Sequence, residues 1–381
     1  MHLILKKLLI GINLMIITSS LSSESTIIEP PCRDRFYWPF NSSSIWNTAI
    51  GSSAVFLPAN IYSGSGDFGL PVEIHNDQEW IIRTTYTDPI VQWIDDSNNF
   101  PGMCTATGKF APEMIPIPAN FTTDCVANNN AAGVLLPDNV TLIQMQPLYR
   151  PKGGNEPIIA WYHTGAPQPF PWNLSILDDG NLGAHGGSGL SSIGGSIRSG
   201  ELQPNAPPIT HALKLELDAH LYYYWDKVHE SSCYTWPAIG CDTMYNSFIG
   251  YNGTNPYLKP GALLAVPAAL APDVFANLTT IPGKRILSAL VDYGGYIVDD
   301  TGSKQGGGAI CMEHAVNEEV LSTYGYSIAI ENPLVPTQGG EFYFDIVTIF
   351  KNLQIVINNS PTNIGGGGIP RQPPPPPFCE M

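Results

Sequence analysis

The sequence predicts an all-β dominated chain, a β-sandwich of jelly-roll type with one or two short helices. Three observations carry this. Gly (37) and Pro (35) make up close to a fifth of the 381 residues, and both are costly inside helices. Short apolar runs alternate with turn residues through the first half of the chain, the pattern of strands. Only one segment repeats its apolar residues at clear helical spacing. With 43% apolar and 13% charged residues, the chain can bury a core and is not of the disordered class.

Residues 1–23 read as a signal peptide. Lys6 and Lys7 precede the apolar run Leu8 to Ile17, and small residues follow from Thr18 to Ser23, the layout of a cleaved leader. The run is shorter than the ~20 residues a membrane span needs, so no span is expected after cleavage. Residues 24–60, rich in aromatics and Pro, predict an arm packed on the main body. Residues 61–360 predict a single large β domain. Strands are expected at Glu79–Arg83, Val140–Met145 and Pro157–His163. Residues 178–202 hold eight glycines and predict a loop that permits close backbone approach.

Ile209 to Leu217 alternates. Ile209, His211, Leu213, Leu215 and Leu217 share one face and Thr210, Ala212, Lys214 and Glu216 the other, which predicts a half-buried strand. Leu221–Trp225 is expected to continue or rim that sheet. The one helix is expected over Lys284–Tyr293, closed by Gly294 and Gly295. A strand at Tyr296–Val298 runs into Asp299 and Asp300. Late strands are expected at Glu341–Phe350 and Leu353–Ile357. Residues 361–381 read as a flexible Gly stretch followed by a polyproline II rod.

The net charge of −16 repels phosphate backbones, so no nucleic-acid partner is expected. Seven cysteines lack zinc spacing, so metal is not expected, and disulfides fit an exported chain. Cys104 with Cys125 and Cys233 with Cys241 are neighbours in sequence, and Cys379 is the expected spare thiol. Seven Asn-x-Ser/Thr sequons, at Asn41, Asn120, Asn139, Asn173, Asn252, Asn277 and Asn358, suit a secreted glycoprotein. No dinucleotide, P-loop or zinc-protease motif is present, and no cofactor is expected.

The candidate chemistry is a dispersed set. His185 sits in the glycine-rich loop, Arg198 and Glu201 lie just beyond, His211 follows, and Tyr296 and Asp299 close the helix–strand unit. Histidine transfers protons near neutrality, and arginine holds a carboxylate with two hydrogen bonds. A His/Tyr/Arg set suits β-elimination of an acidic sugar. Paired carboxylates such as Glu201 and Asp299 suit glycoside hydrolysis. Alternatively, Trp46, Trp161, Trp172, Trp225 and Trp236 with Tyr222–Tyr224 form a sugar-stacking platform.

Several blocks resemble a family of secreted, mostly microbial β-rich proteins of uncharacterised function. They are Ser44–Gly51 with its Trp-Asn-Thr, the Gly183–Leu202 run GAHGGSGLSSIGGSIRSGEL, Thr210–Leu213 and Asp292–Asp300. The resemblance covers about a third of the chain and implies an extracellular β-rich protein with no established reaction. Arg198, His211 and Tyr293–Tyr296 are also distantly similar to the groove of alginate-lyase jelly rolls, although the Gln usually beside that histidine is absent. The sequence thus points to a secreted protein acting on extracellular polysaccharide as lyase or hydrolase. The alternative is a non-catalytic carbohydrate-binding, matrix or cell-wall protein.

Overall fold

The computed structural model describes residues 32–61, 74–95, 104, 110–123, 125, 130–160, 174–229, 232–242, 244–248, 250–301, 307–328 and 340–380. The expected signal peptide, Trp161 and Trp172 lie outside them.

Strands dominate. In chain order they are β1 (Phe56–Pro58), β2 (Ile74–Arg83), β3 (Ile90–Asp95), β4 (Phe110–Pro116), β5 (Ala132–Leu135), β6 (Thr141–Met145), β7 (Leu148–Tyr149), β8 (Ile158–Ala160), β9 (Leu174–Ser175) and β10 (Leu213–Leu217). Helix α1 (Ala219–Tyr222), β11 (Leu263–Ala265), α2 (Ala271–Ala276), α3 (Ile281–Asp292), β12 (Gly295–Asp300) and β13 (Gly308–Glu313) follow. Then come α4 (Val316–Tyr324), α5 (Gly340–Lys351) and β14 (Gln354–Val356). A ten-stranded mixed sheet runs β1-β14-β11-β12-β10-β13-β2-β5-β6-β9, and a four-stranded sheet runs β4-β3-β8-β7. Ile82, Val134 and Met145 of the large sheet share a core with Val91, Trp93, Ile115 and Ile158 of the small one, so the two pack in a sandwich-like way.

The centre of the large sheet, β12-β10-β13-β2, positions the site. Its first face is apolar: Leu213, Leu215, Leu217, Ile297, Ile310 and Met312 pack with α3 through Ile286 and Leu290, and with α5 through Phe342, Ile346 and Phe350. The second face is also buried. All five residues of β10 are buried, Lys214 and Glu216 included, so the strand is not half-buried as its alternation suggests. The glycine-rich loop 178–202 covers that face. Lys214 N donates to Gly195 O, Ile197 N to Cys311 O and Ser188 N to Val298 O.

Two glycines make this cover possible. At Gly195 φ is +78°, and a Cβ would stand 2.4 Å from the Trp46 ring. The Trp46 indole donates to Gly180 O at 2.8 Å and meets Tyr296 edge-on. At Gly187 φ is +64°, where a side chain would stand between two carboxylates. Left-handed backbone and close approach together favour glycine at both positions.

Five sequence expectations are corrected. Glu341–Phe350 is helix, not strand: its aromatic and β-branched residues favour a strand locally, but Phe342, Ile346 and Phe350 recur at helical spacing and are buried together, and packing overrides propensity. Five helices form among the described residues, where one or two were expected, and Leu221–Trp225 begins with the end of α1 instead of continuing the sheet. The tail is anchored. Cys379 is not the spare thiol, because it pairs with Cys32; the other bonds are Cys104–Cys125 and Cys233–Cys241, and Cys311 is the free, buried cysteine. Arg33 explains the docking. Its backbone bonds Pro377 and Cys379, its Nε donates to Pro376 O, and its guanidinium lies 3.8 Å from the Phe378 ring centroid.

Candidate acid–base site

A polar cluster fills the space between the glycine-rich loop and the sheet. β10 supplies Lys214 and Glu216, β2 supplies Glu79, β13 supplies Cys311, and the loop supplies His185 and Ser196. Each of these is at most 1% exposed. Asp299 arrives through a register shift. β10 and β12 pair Leu215 with Ile297 but Glu216 with Asp299, so Val298 is bulged out. A bulge re-aims the residue after it, here bringing Asp299 to the face that carries Glu216.

The inner half of the cluster is tightly paired. Glu79 accepts from Lys214 Nζ through one oxygen and from Ser196 Oγ through the other. Lys214 also donates to Ser191 O at 3.1 Å. Buried charges require such partners. His185 Nε2 lies 3.1 Å from Glu79 Oε1, and 3.6 Å from Cys311 Sγ. The Cys311 thiol donates to Glu216 Oε1 at 3.6 Å, within the longer reach of sulfur. On the outer side, His185 Nδ1 lies 3.7 Å from Asp299 Oδ2.

The outer half reaches the surface at Gly186 and Gly187, both half-buried. The carboxylates of Asp299 and Asp242 flank Gly187, standing 3.0 and 3.4 Å from the point where its side chain would begin. Asp242 and Asp300 are half-buried, while Asp299 is 5% exposed. Asp242 follows directly on the Cys233–Cys241 disulfide. Its loop is tied to the glycine turn by the bond from Ile239 N to Ser188 O at 2.9 Å. Burial, with the neighbouring Asp300 carboxylate second, pushes the Asp242 carboxyl up to about 6. A carboxyl that stays protonated to that pH can donate a proton.

The candidates from sequence fall into two groups. His185 and Asp299 meet in this cluster. Glu201, His211 and Arg198 form a second one: His211 Nε2 lies 3.2 Å from Glu201, which accepts from Arg198 N at 2.7 Å. The Arg198 guanidinium is committed inward, to Glu313 Oε2 at 3.0 Å and Phe36 O at 2.5 Å. The cavity it shares with His211 is about 10 Å³, room for about one water and no sugar. Tyr296 is 1% exposed and packs on Trp46, and burial raises its hydroxyl pKa well above the ordinary tyrosine value. His185 and His211 therefore engage different partners, and no His/Tyr/Arg groove assembles from the named residues. Of the aromatic platform, Trp46 and Tyr223 are buried in the core, and Trp225 packs against the main core.

Sequence reasoning missed Glu79, Lys214, Glu216, Asp242 and Cys311. Glu79 did carry a signal, as an acid beside the apolar run Trp80–Ile82. Lys214 and Glu216 sat on the face read as solvent-facing, and nothing local marks Asp242. His185, Cys311 and Glu79, and likewise His185, Glu216 and Asp299, present ligand-type atoms within 4.8 Å of one another. The Lys214 ammonium already occupies Glu79. No protein-family model, curated protein or solved structure matches the chain.

Proposed function

We propose that this chain is an exported protein that hydrolyses an extracellular polysaccharide by acid–base chemistry at the Gly186–Gly187 rim. The observation that carries the reading is the pair of carboxylates on either side of Gly187, one raised to about 6 by burial, with His185 behind it. Asp242 serves as the general acid toward the leaving oxygen. Asp299 serves as the carboxylate partner, with His185 lying between Asp299 and Glu79. Hydrolysis is favoured over β-elimination because Arg198 and Tyr296 are committed elsewhere, so the groups an elimination needs do not meet. Three disulfides and the absence of a helix long and apolar enough to cross a membrane among the described residues support an extracellular setting.

The test is product release from a panel of neutral and acidic polysaccharides, with new reducing ends and unsaturated-sugar absorbance followed together. Hydrolysis predicts reducing ends without the absorbance. Loss of turnover in Asp299→Asn, with folding intact, supports the assignment; full turnover in that variant overturns it. A second reading, non-catalytic glycan binding, is favoured by one observation. A cleft of about 130 Å³ is lined by Tyr234, Trp236, Tyr257 and Lys259, aromatic and cationic groups of the kind that hold sugars. No turnover on any glycan, with retention on one in a pull-down, selects that reading.

A further inference from the structure

Cys311 is the cysteine outside the three disulfides, and it is buried. It stands in a set of ligand-type atoms. Cys311 Sγ lies 3.6 Å from His185 Nε2 and 3.6 Å from Glu216 Oε1, and those two atoms are 3.9 Å apart. The three make a nearly equilateral triangle. A point equidistant from atoms at these separations lies about 2.1 Å from each, the length of a zinc–imidazole or zinc–carboxylate bond and close to that of a zinc–thiolate bond. The cysteines lack zinc spacing along the chain because these ligands come from the glycine-rich loop, β10 and β13, which only the fold brings together.

Two further observations point to a cation. The other ring nitrogen of His185, Nδ1, lies 3.7 Å from Asp299 Oδ2. Metal-bound histidines turn their second nitrogen toward a carboxylate, which orients the ring and raises its basicity. The charges of the ligand set also balance. Glu79 Oε1 lies 3.1 Å from His185 Nε2, and a Glu79 carboxylate oxygen lies within 4.8 Å of Cys311 Sγ. A carboxylate oxygen has two lone-pair sites, so Glu79 can accept from Lys214 and still close the fourth side. Glu79, Glu216 and a Cys311 thiolate are then offset by the Lys214 ammonium and a divalent ion. Buried charge is costly unless it is offset. Sulfur and nitrogen donors select zinc over calcium or magnesium, which take oxygen ligands.

We infer that Cys311, His185 and Glu216 hold a zinc ion, with Glu79 at the fourth position and Asp299 bracing the histidine. On binding, a bond forms between Sγ and the ion, and the thiol proton leaves to solvent. The imidazole coordinates through Nε2 and keeps its proton on Nδ1, toward Asp299. Each ligand is at most 1% exposed, so the ion enters as the chain folds and helps hold the loop on the sheet. This inference does not rest on hydrolysis at the rim, and turnover is not among its readouts.

The test uses the full chain with its disulfides intact. It is purified without chelator for elemental mass spectrometry, then unfolded in urea with chelator and refolded with zinc, cobalt(II) or magnesium ions alone. The expected result is about one zinc per chain, a urea midpoint that rises with zinc and not with magnesium, and a thiolate-to-cobalt charge-transfer band in the near ultraviolet. Cys311→Ser should lose that band. Glu216→Gln should keep it and weaken zinc binding by about tenfold or more, the scale seen when a partner in a metal site is lost, read by competition with a chromophoric chelator. No zinc in the native chain and none taken up on refolding overturns the proposal. So does a cobalt complex without the band, or with the band unchanged in Cys311→Ser. If a variant fails to fold, the wild-type metal content and cobalt spectrum decide.

Discussion

Replacing Cys32 and Cys379 together by Ser tests how the two ends of the described chain are held. The bond closes a loop with a sequence separation of 347, so in the chain-entropy treatment it restricts the denatured ensemble by about 6 kcal/mol. The Cys233–Cys241 bond closes a separation of only 8, which corresponds to about 2.5 kcal/mol. In the native state the clasp has support besides sulfur. The Arg33 guanidinium donates to Pro39 O and Phe40 O, and the arm bonds the tail through Gly51, Ser52 and Ser53. The double variant therefore keeps its native contacts and loses stability through the unfolded chain. Urea denaturation under non-reducing conditions is the assay. The midpoint of Cys32→Ser/Cys379→Ser should fall further than that of Cys233→Ser/Cys241→Ser. Equal losses, or the reverse order, would refute the loop-length reasoning.

Three further outcomes follow from the packing. Lys214→Met removes the buried cation from Glu79 and should cost about 3–5 kcal/mol in urea denaturation; adding Glu79→Gln should recover part of it. Asp345 of α5 accepts from Thr279 N at 2.9 Å and Thr280 N at 2.8 Å, so Asp345→Ala should cost about 1–3 kcal/mol by leaving buried donors unpaired, read as a lower melting temperature. Burial of His211 disfavours its charged form, but the adjacent Glu201 carboxylate outweighs this and raises its pKa above 6.5. Burial likewise opposes ionisation of Glu201, yet His211 pulls its pKa below 4.5. The His211 contribution is thus fully present below its unfolded pKa and is lost as pH rises through the raised folded value. The Glu201 contribution is present above 4.5 and is lost as pH falls through the lowered value. Melting temperature against pH should show both flanks in the wild type; His211→Gln should lose the alkaline one and weaken the acid one, since His211 is the main cause that lowers the Glu201 pKa.

The architecture was largely legible where periodicity and burial agree. The α3 segment carries its apolar residues at helical spacing with Thr280 capping Gly283 N, and β12 and β14 follow as short apolar runs. It was not legible in α5, where aromatic and β-branched residues say strand and only tertiary packing says helix. The site was half legible. His185 stood out because glycines surround it, and Asp299 because it ends a strand. Lys214 and Glu216 occupy a face that alternation assigns to solvent, and only the loop folded over β10 buries it. The Asp299 orientation depends on a bulge that no residue pattern announces. Cys379 shows the same limit, since its partner lies near the opposite end of the described chain.

The central claim is that Asp242 donates a proton at the Gly187 rim. The most direct measurement is the pH dependence of polysaccharide turnover in the wild type beside Asp242→Asn. The account predicts a wild-type rate that falls as pH rises past about 6, where the Asp242 carboxyl ionises, and a variant that folds but loses about 100-fold or more of the rate. A variant with wild-type turnover and the same pH limb would contradict it.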